Sequence, residues 1–85
     1  MSVNKVVKGI LSEKLGVDRR SIRMDSRIGD DLCADSLKFL EIIIALESEL
    51  DISIEDSDAE KVVTVRDLLD VVRNEVDLKR QAKAA

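Results

Sequence analysis

Histidine, proline, tryptophan and tyrosine are missing from this chain, and cysteine and phenylalanine occur once each. Without histidine there is no Ser-His or Cys-His pair to activate a nucleophile, and no usual zinc-ligand set. A lone cysteine, Cys33, closes no internal disulfide. The three glycines do not form a phosphate-cradling loop. The longest apolar run, Ile42 to Leu46, falls far short of the roughly 20 residues that span a bilayer. The first residues, MSVNKVVKG, lack the apolar stretch of a secretory signal. These absences argue against self-sufficient catalysis, a structural metal and membrane insertion. The expectation is a soluble cytoplasmic protein that is not an enzyme.

What remains is aliphatic and charged. In 85 residues there is room for one domain, and Val, Ile, Leu and Ala carry nearly all its apolar content, which favours a small helical bundle. The net charge of -4 conceals a segregation. Residues 1–29 hold seven basic and three acidic side chains, whereas residues 30–60 hold eleven acidic ones and a single base, Lys38. An acidic middle third repels nucleic acid and steers the domain towards basic partners.

Hydrophobic spacing divides the chain into elements. Val3, Val6, Val7, Ile10, Leu11 and Leu15 fall at helical intervals, with Gly16 where a helix commonly ends. Gly9, inside that helix, costs roughly 1 kcal/mol relative to alanine. From Val17 to Asp35 the periodicity fades, and Val17, Ile22, Met24, Ile28 and Leu32 predict a long loop pinned onto the core. A second helix is expected from Ser36 to about Leu50, capped by Asp35. Its core side holds Phe39, Ile42, Ile43, Leu46 and Leu50, and Lys38, Glu41, Ser48 and Glu49 lie opposite. Leu37 and Ile44 fall between these sides, as partly exposed apolar residues in an acidic border, a combination suited to docking. Ser57 and Glu60 have capping-box spacing for a short third helix. Thr64 and Asp67 open a fourth, whose inward stripe is Val65, Leu68, Leu69, Val72 and Val76. The predicted organisation is a domain over residues 1–77 and a frayed tail over 78–85 without an apolar face.

The segment Asp30-Asp31-Leu32-Cys33-Ala34-Asp35-Ser36-Leu37 resembles the modification motif of acyl carrier proteins, DLGADSL. The resemblance continues through Glu41, Ala45-Leu46-Glu47 and Glu49, then Asp58-Ala59-Glu60-Lys61-Val62 and Thr64-Val65, covering about residues 3–76 without a gap. It implies an all-α, four-helix fold of three longer helices and one short one. It also implies that a phosphopantetheinyl transferase attaches 4'-phosphopantetheine, donated by coenzyme A, to Ser36, and that the arm's thiol carries acyl groups as thioesters. Taken alone, a serine after an aspartate at a helix start is merely part of a cap. The family's acidic second helix is read by basic patches on acyl-transferring and chain-elongating enzymes. By resemblance this gives docking roles to Asp35, Leu37, Glu41, Ile44 and Glu47, with Lys38 on the same docking face as a departure from the pattern, although for the glutamates a solvated helix face is an equal reading. Leu46, Ala59 and Val62 become candidates for the wall of an acyl pocket, with ordinary core packing as the alternative. Phe39 and Ile43 are expected to be core. The carrier is expected to be monomeric.

Three positions depart from the family pattern. Cys33 stands where glycine is usual, either as a small residue the loop tolerates or as a redox-sensitive thiol near Ser36. Lys38 reverses the charge that commonly follows Asp-Ser-Leu, and Glu55 replaces a common proline. They leave open whether this carrier serves fatty-acid synthesis or a specialised polyketide, peptide or lipid-modifying pathway. From a different class, an unmodified acidic adaptor would have no need of Ser36. A calcium sensor fails, because the window from Asp51 to Val62 has Asp56 where an EF-hand loop needs glycine and Val62 where it needs glutamate.

Overall fold

A computed structural model describes residues 2–84, with side chains from Ser2 to Gln81. Val7 and Leu11, one turn apart, are fully buried on α1 (Val3–Leu15). The helix stops at Gly16, whose φ of 66° is the left-handed conformation that lets its N–H bond back to the Ser12 carbonyl. Gly9 has a local use: the Arg19 guanidinium lies over it, so that a Cβ there would come within 2.6 Å of Nη2.

Between residues 17 and 35 the chain is a loop with one 3-10 turn at Arg19–Ser21, a turn the sequence pattern did not announce. Ile22, Ile28 and Leu32 are buried, and Val17 and Met24 pack against the core at its edge, as their spacing predicts. The loop is also tied by its backbone. An antiparallel bridge pairs Arg27 with Thr64, and Ile28 N–H donates to the Val63 carbonyl at 2.9 Å. The N–H groups of Val65 and Arg66 donate to the carbonyls of Ser26 and Met24, each at 2.9 Å. Loop carbonyls thus engage amides that the start of the last helix leaves without intrahelical partners.

The second helix, α2, spans Ser36–Leu50 and is capped by Asp35 as expected. Ile42, Ile43 and Leu46 are buried on its inner side, while Phe39 and Leu50 are only partly buried. It ends at Asp51, a non-glycine residue at φ 52°, whose carboxylate lies 2.7 Å from Lys79 Nζ.

α3 (Asp56–Ala59) is a single turn, and the expected capping box is not made. Ser57 falls inside the helix rather than before it, so its hydroxyl is not placed to cap. The Glu55 backbone carbonyl instead receives Asp58 N–H and Ala59 N–H, both at 3.0 Å.

α4 (Val65–Ala84) opens with a reciprocal cap, in which Asp67 N–H donates to Thr64 Oγ1 while Asp67 Oδ2 accepts from Thr64 and Val63 N–H at 3.0 Å. These backbone bonds, Thr64 first, hold the Asp67 carboxyl below its ordinary pKa. Val65, Leu68, Leu69 and Val72 are fully buried, completing one core with α1, α2 and Ile54. α4 runs on to Ala84, with no glycine or proline to stop it and good helix formers in its last turns. Leu78 remains half exposed, but Lys79 reaches back to Asp51 and the Leu50 carbonyl. Ala85 and the side chains of 82–84 lie outside the described residues.

Candidate functional site

Asp35 and Ser36 sit at the mouth of α2, where the loop turns into the helix. Asp35 Oδ1 accepts the Lys38 N–H at 2.8 Å, and its carbonyl accepts the Phe39 N–H at 2.9 Å. Asp35 is therefore a working cap. Ser36, the first helical residue, is exposed, and its hydroxyl bonds to no other described residue. The turn before it depends on Cys33, which takes φ 61° where an L-residue is strained and glycine is not. That torsion explains why glycine is the natural occupant, and it shows Cys33 as an exposed thiol tolerated at a backbone cost.

Two grooves meet at Ser36. One, of about 300 Å³, opens towards the loop and is lined by Arg27, Gly29, Asp30, Ala34, Phe39 and Val63 among others. The second, of about 500 Å³, lies between α2 and α3 and is lined by Phe39, Leu40, Ile43, Ala59 and Val62, with Asp56 and Glu60. Phe39 belongs to both walls, so the residue expected in the core is instead shared between core and groove. Ile43 is buried yet contributes to the α3-side wall.

Along the outside of α2, Leu37, Leu40 and Ile44 are 65%, 54% and 55% exposed. Their spacing of three and four places them on one stripe. Leu37 and Ile44 are where periodicity put them. Leu40 was missed, although its place one turn from each was the signal. Lys38 Nζ lies 3.5 Å from Glu41 Oε2, so the one base of the acidic third is paired within its own helix.

A family model for the phosphopantetheine attachment site matches residues 5–72. The chain belongs to the acyl carrier protein family. An acyl carrier protein of Campylobacter lari is 42% identical over 74 residues, covering 87% of this chain and 96% of that one. Rv0033 of Mycobacterium tuberculosis, provisionally classed as an acyl carrier protein, superposes with a TM-score of 0.81 at 33% identity, covering 86% of this chain and 97% of that structure. The all-helical fold is that of the family.

The family's cofactor is 4'-phosphopantetheine, and the residues present suit it. An exposed serine hydroxyl is the chemistry an attachment point needs, and grooves run from it in two directions. No group of three or more His, Cys, Asp or Glu among the described residues is arranged to hold a metal ion. No helix among them is long and apolar enough to cross a membrane.

Two predicted site residues fall elsewhere. Leu46 is fully buried and is absent from both grooves, so of the pocket candidates only Ala59 and Val62 reach a wall. Leu46 faces inward because it lies one turn beyond Ile42 and Ile43 on the core side of α2. The Glu47 carboxylate turns to the α2–α3 connection, where Oε2 accepts the Ile54 N–H at 2.8 Å. That anchoring bond was not legible, because its partner lies seven residues away across an irregular segment.

Proposed function

We propose that Ser36 carries the 4'-phosphopantetheine arm, and that the protein accepts and delivers acyl intermediates for fatty-acid biosynthesis. The reading is carried by one observation: the exposed Ser36 hydroxyl, in the family's motif, stands where two grooves converge. Bound there, the arm supplies a terminal thiol that holds an acyl group as a thioester. The chain's own contribution is positional. Asp35 holds the helix start, Ser36 offers an oxygen to the transferase, and the first helical amides and the positive end of the α2 dipole favour the resulting anion. The α3-side groove, with Phe39, Leu40, Ile43, Ala59 and Val62, takes the proximal acyl chain.

Docking falls to Leu37, Leu40 and Ile44, rimmed by Asp35 and Glu41, against basic patches on a transferase and on acyl-handling enzymes. Glu47 contributes by fixing the α2–α3 connection rather than by offering a free carboxylate. The carrier domain is residues 1–77, acting as a cytoplasmic monomer, with α4 running on to Ala84. A specialised acyl pathway is a second reading, favoured by the Lys38–Glu41 pair, which removes one acid from the docking border.

The test is intact mass after incubation with coenzyme A and a broad-specificity phosphopantetheinyl transferase. One phosphopantetheinyl increment is expected, absent in Ser36→Ala. No increment with several active transferases overturns the reading in favour of an unmodified adaptor. The acyl group accumulated in cells separates the two pathways.

A further inference from the structure

The two grooves at Ser36 differ in charge. The α3-side groove is lined by two carboxylates, Asp56 and Glu60, with no cation, and neither side chain bonds to another described residue. The loop-side groove has a cation, Arg27, with Asp30 and Asp35 also in its lining. Both of those carboxylates are already engaged. Asp30 lies 3.5 Å from the Arg27 guanidinium, and Asp35 receives the Lys38 N–H at 2.8 Å. An anion attached to Ser36 is therefore better received on the loop side.

We propose that the loop-side groove is a resting berth for the polar part of the phosphopantetheine arm, with the Arg27 guanidinium shared between Asp30 and the phosphodiester. The inference rests on the reading that Ser36 bears the arm. The arm's chemistry, outward from the serine, is an anion, a carbon bearing two methyl groups, and then two amides. The lining offers a counterpart to each part: the cationic Arg27, the apolar Ala34 and Val63, and Gly29 and Asp30, whose backbone carbonyls accept from no other described residue. Val63 is 55% exposed, an apolar side chain that the fold itself leaves uncovered. The loop is pinned to α4 by the Arg27–Thr64 bridge and the Ile28 to Val63 bond, so the berth is formed before the arm arrives. Arg27 is largely exposed, which makes the berth a state that a docking enzyme displaces.

The experiment compares apo and fully modified protein by isotope-edited NMR, with modification read first by intact mass. Expected are amide shifts at Gly29, Asp30, Ala34 and Val63, and nuclear Overhauser contacts from the arm's paired methyls to the methyls of Ala34 and Val63. Arg27→Gln should weaken those contacts severalfold, and Arg27→Lys should keep most of them. Added salt should weaken them in the unmutated protein, a readout that needs no variant. Fully modified protein with shifts confined to residues 35–37, or with arm contacts to Leu40 and Ala59 instead, overturns the berth and leaves the carrier reading standing. A missing mass increment overturns both.

Discussion

Cys33 holds a left-handed torsion at φ 61°, which costs an L-residue about 1–2 kcal/mol. Glycine there relieves that cost but adds about 0.5–1 kcal/mol of lost chain entropy. Cys33→Gly should therefore stabilise the protein by about 0.5–1 kcal/mol, read as a raised denaturant midpoint at unchanged slope. At Lys38 the consequence concerns partners. Lys38→Asp removes the base that pairs with Glu41 and should tighten binding to an enzyme with a basic docking patch by about fivefold at low salt. The gain should shrink as salt rises, and unchanged affinity would show that this charge does not face the partner.

Two acidic side chains, Glu47 and Asp67, decide how the elements join. The Glu47 carboxylate on the Ile54 N–H fixes the segment between α2 and α3, and charged hydrogen bonds of this kind contribute about 1.5–3 kcal/mol. Glu47→Ala should lose about that much stability and speed hydrogen exchange at the Ile54 amide more than at the α1 amides. At the head of α4 the Asp67 carboxyl titrates below its ordinary value because it accepts the Thr64 and Val63 N–H groups. The unfolded chain binds the proton first as pH falls. The cap's contribution is thus complete above pH about 3.9 and disappears as pH drops through the lower folded pKa. Asp67→Asn should lack this component, which would appear as a shallower acid loss of stability below pH about 4 in parallel denaturation curves.

Across the whole molecule, what could be read in advance was what repeats locally. The inward stripes of α1, α2 and α4, the Asp35 and Thr64 caps and the Gly16 stop all follow from spacing within a few residues. The exposed Leu37 and Ile44 were legible for the same reason, whereas Ser36 stood out only through its resemblance to the family motif. Contacts between distant segments were not. Neither Glu47 reaching Ile54 nor Arg27 pairing with Thr64 leaves a periodic trace, so the loop-side groove had no sequence signature. Helix propensity and one lysine, rather than an apolar face, accompany α4 to Ala84. Removing residues 78–85 deletes that lysine's 2.7 Å pair with Asp51 and should cost at most about 1 kcal/mol, or a melting-temperature fall of up to about 8 °C, with Ser36 still modified. Phe39 has a last consequence. It is the chain's only aromatic side chain and stands on the wall common to both grooves. Every ring-current shift in the proton spectrum therefore has one source. The methyl resonances of Ile28, Ile43, Ala59 and Val62 become a built-in gauge that moves when either groove fills, with no label added beside Ser36.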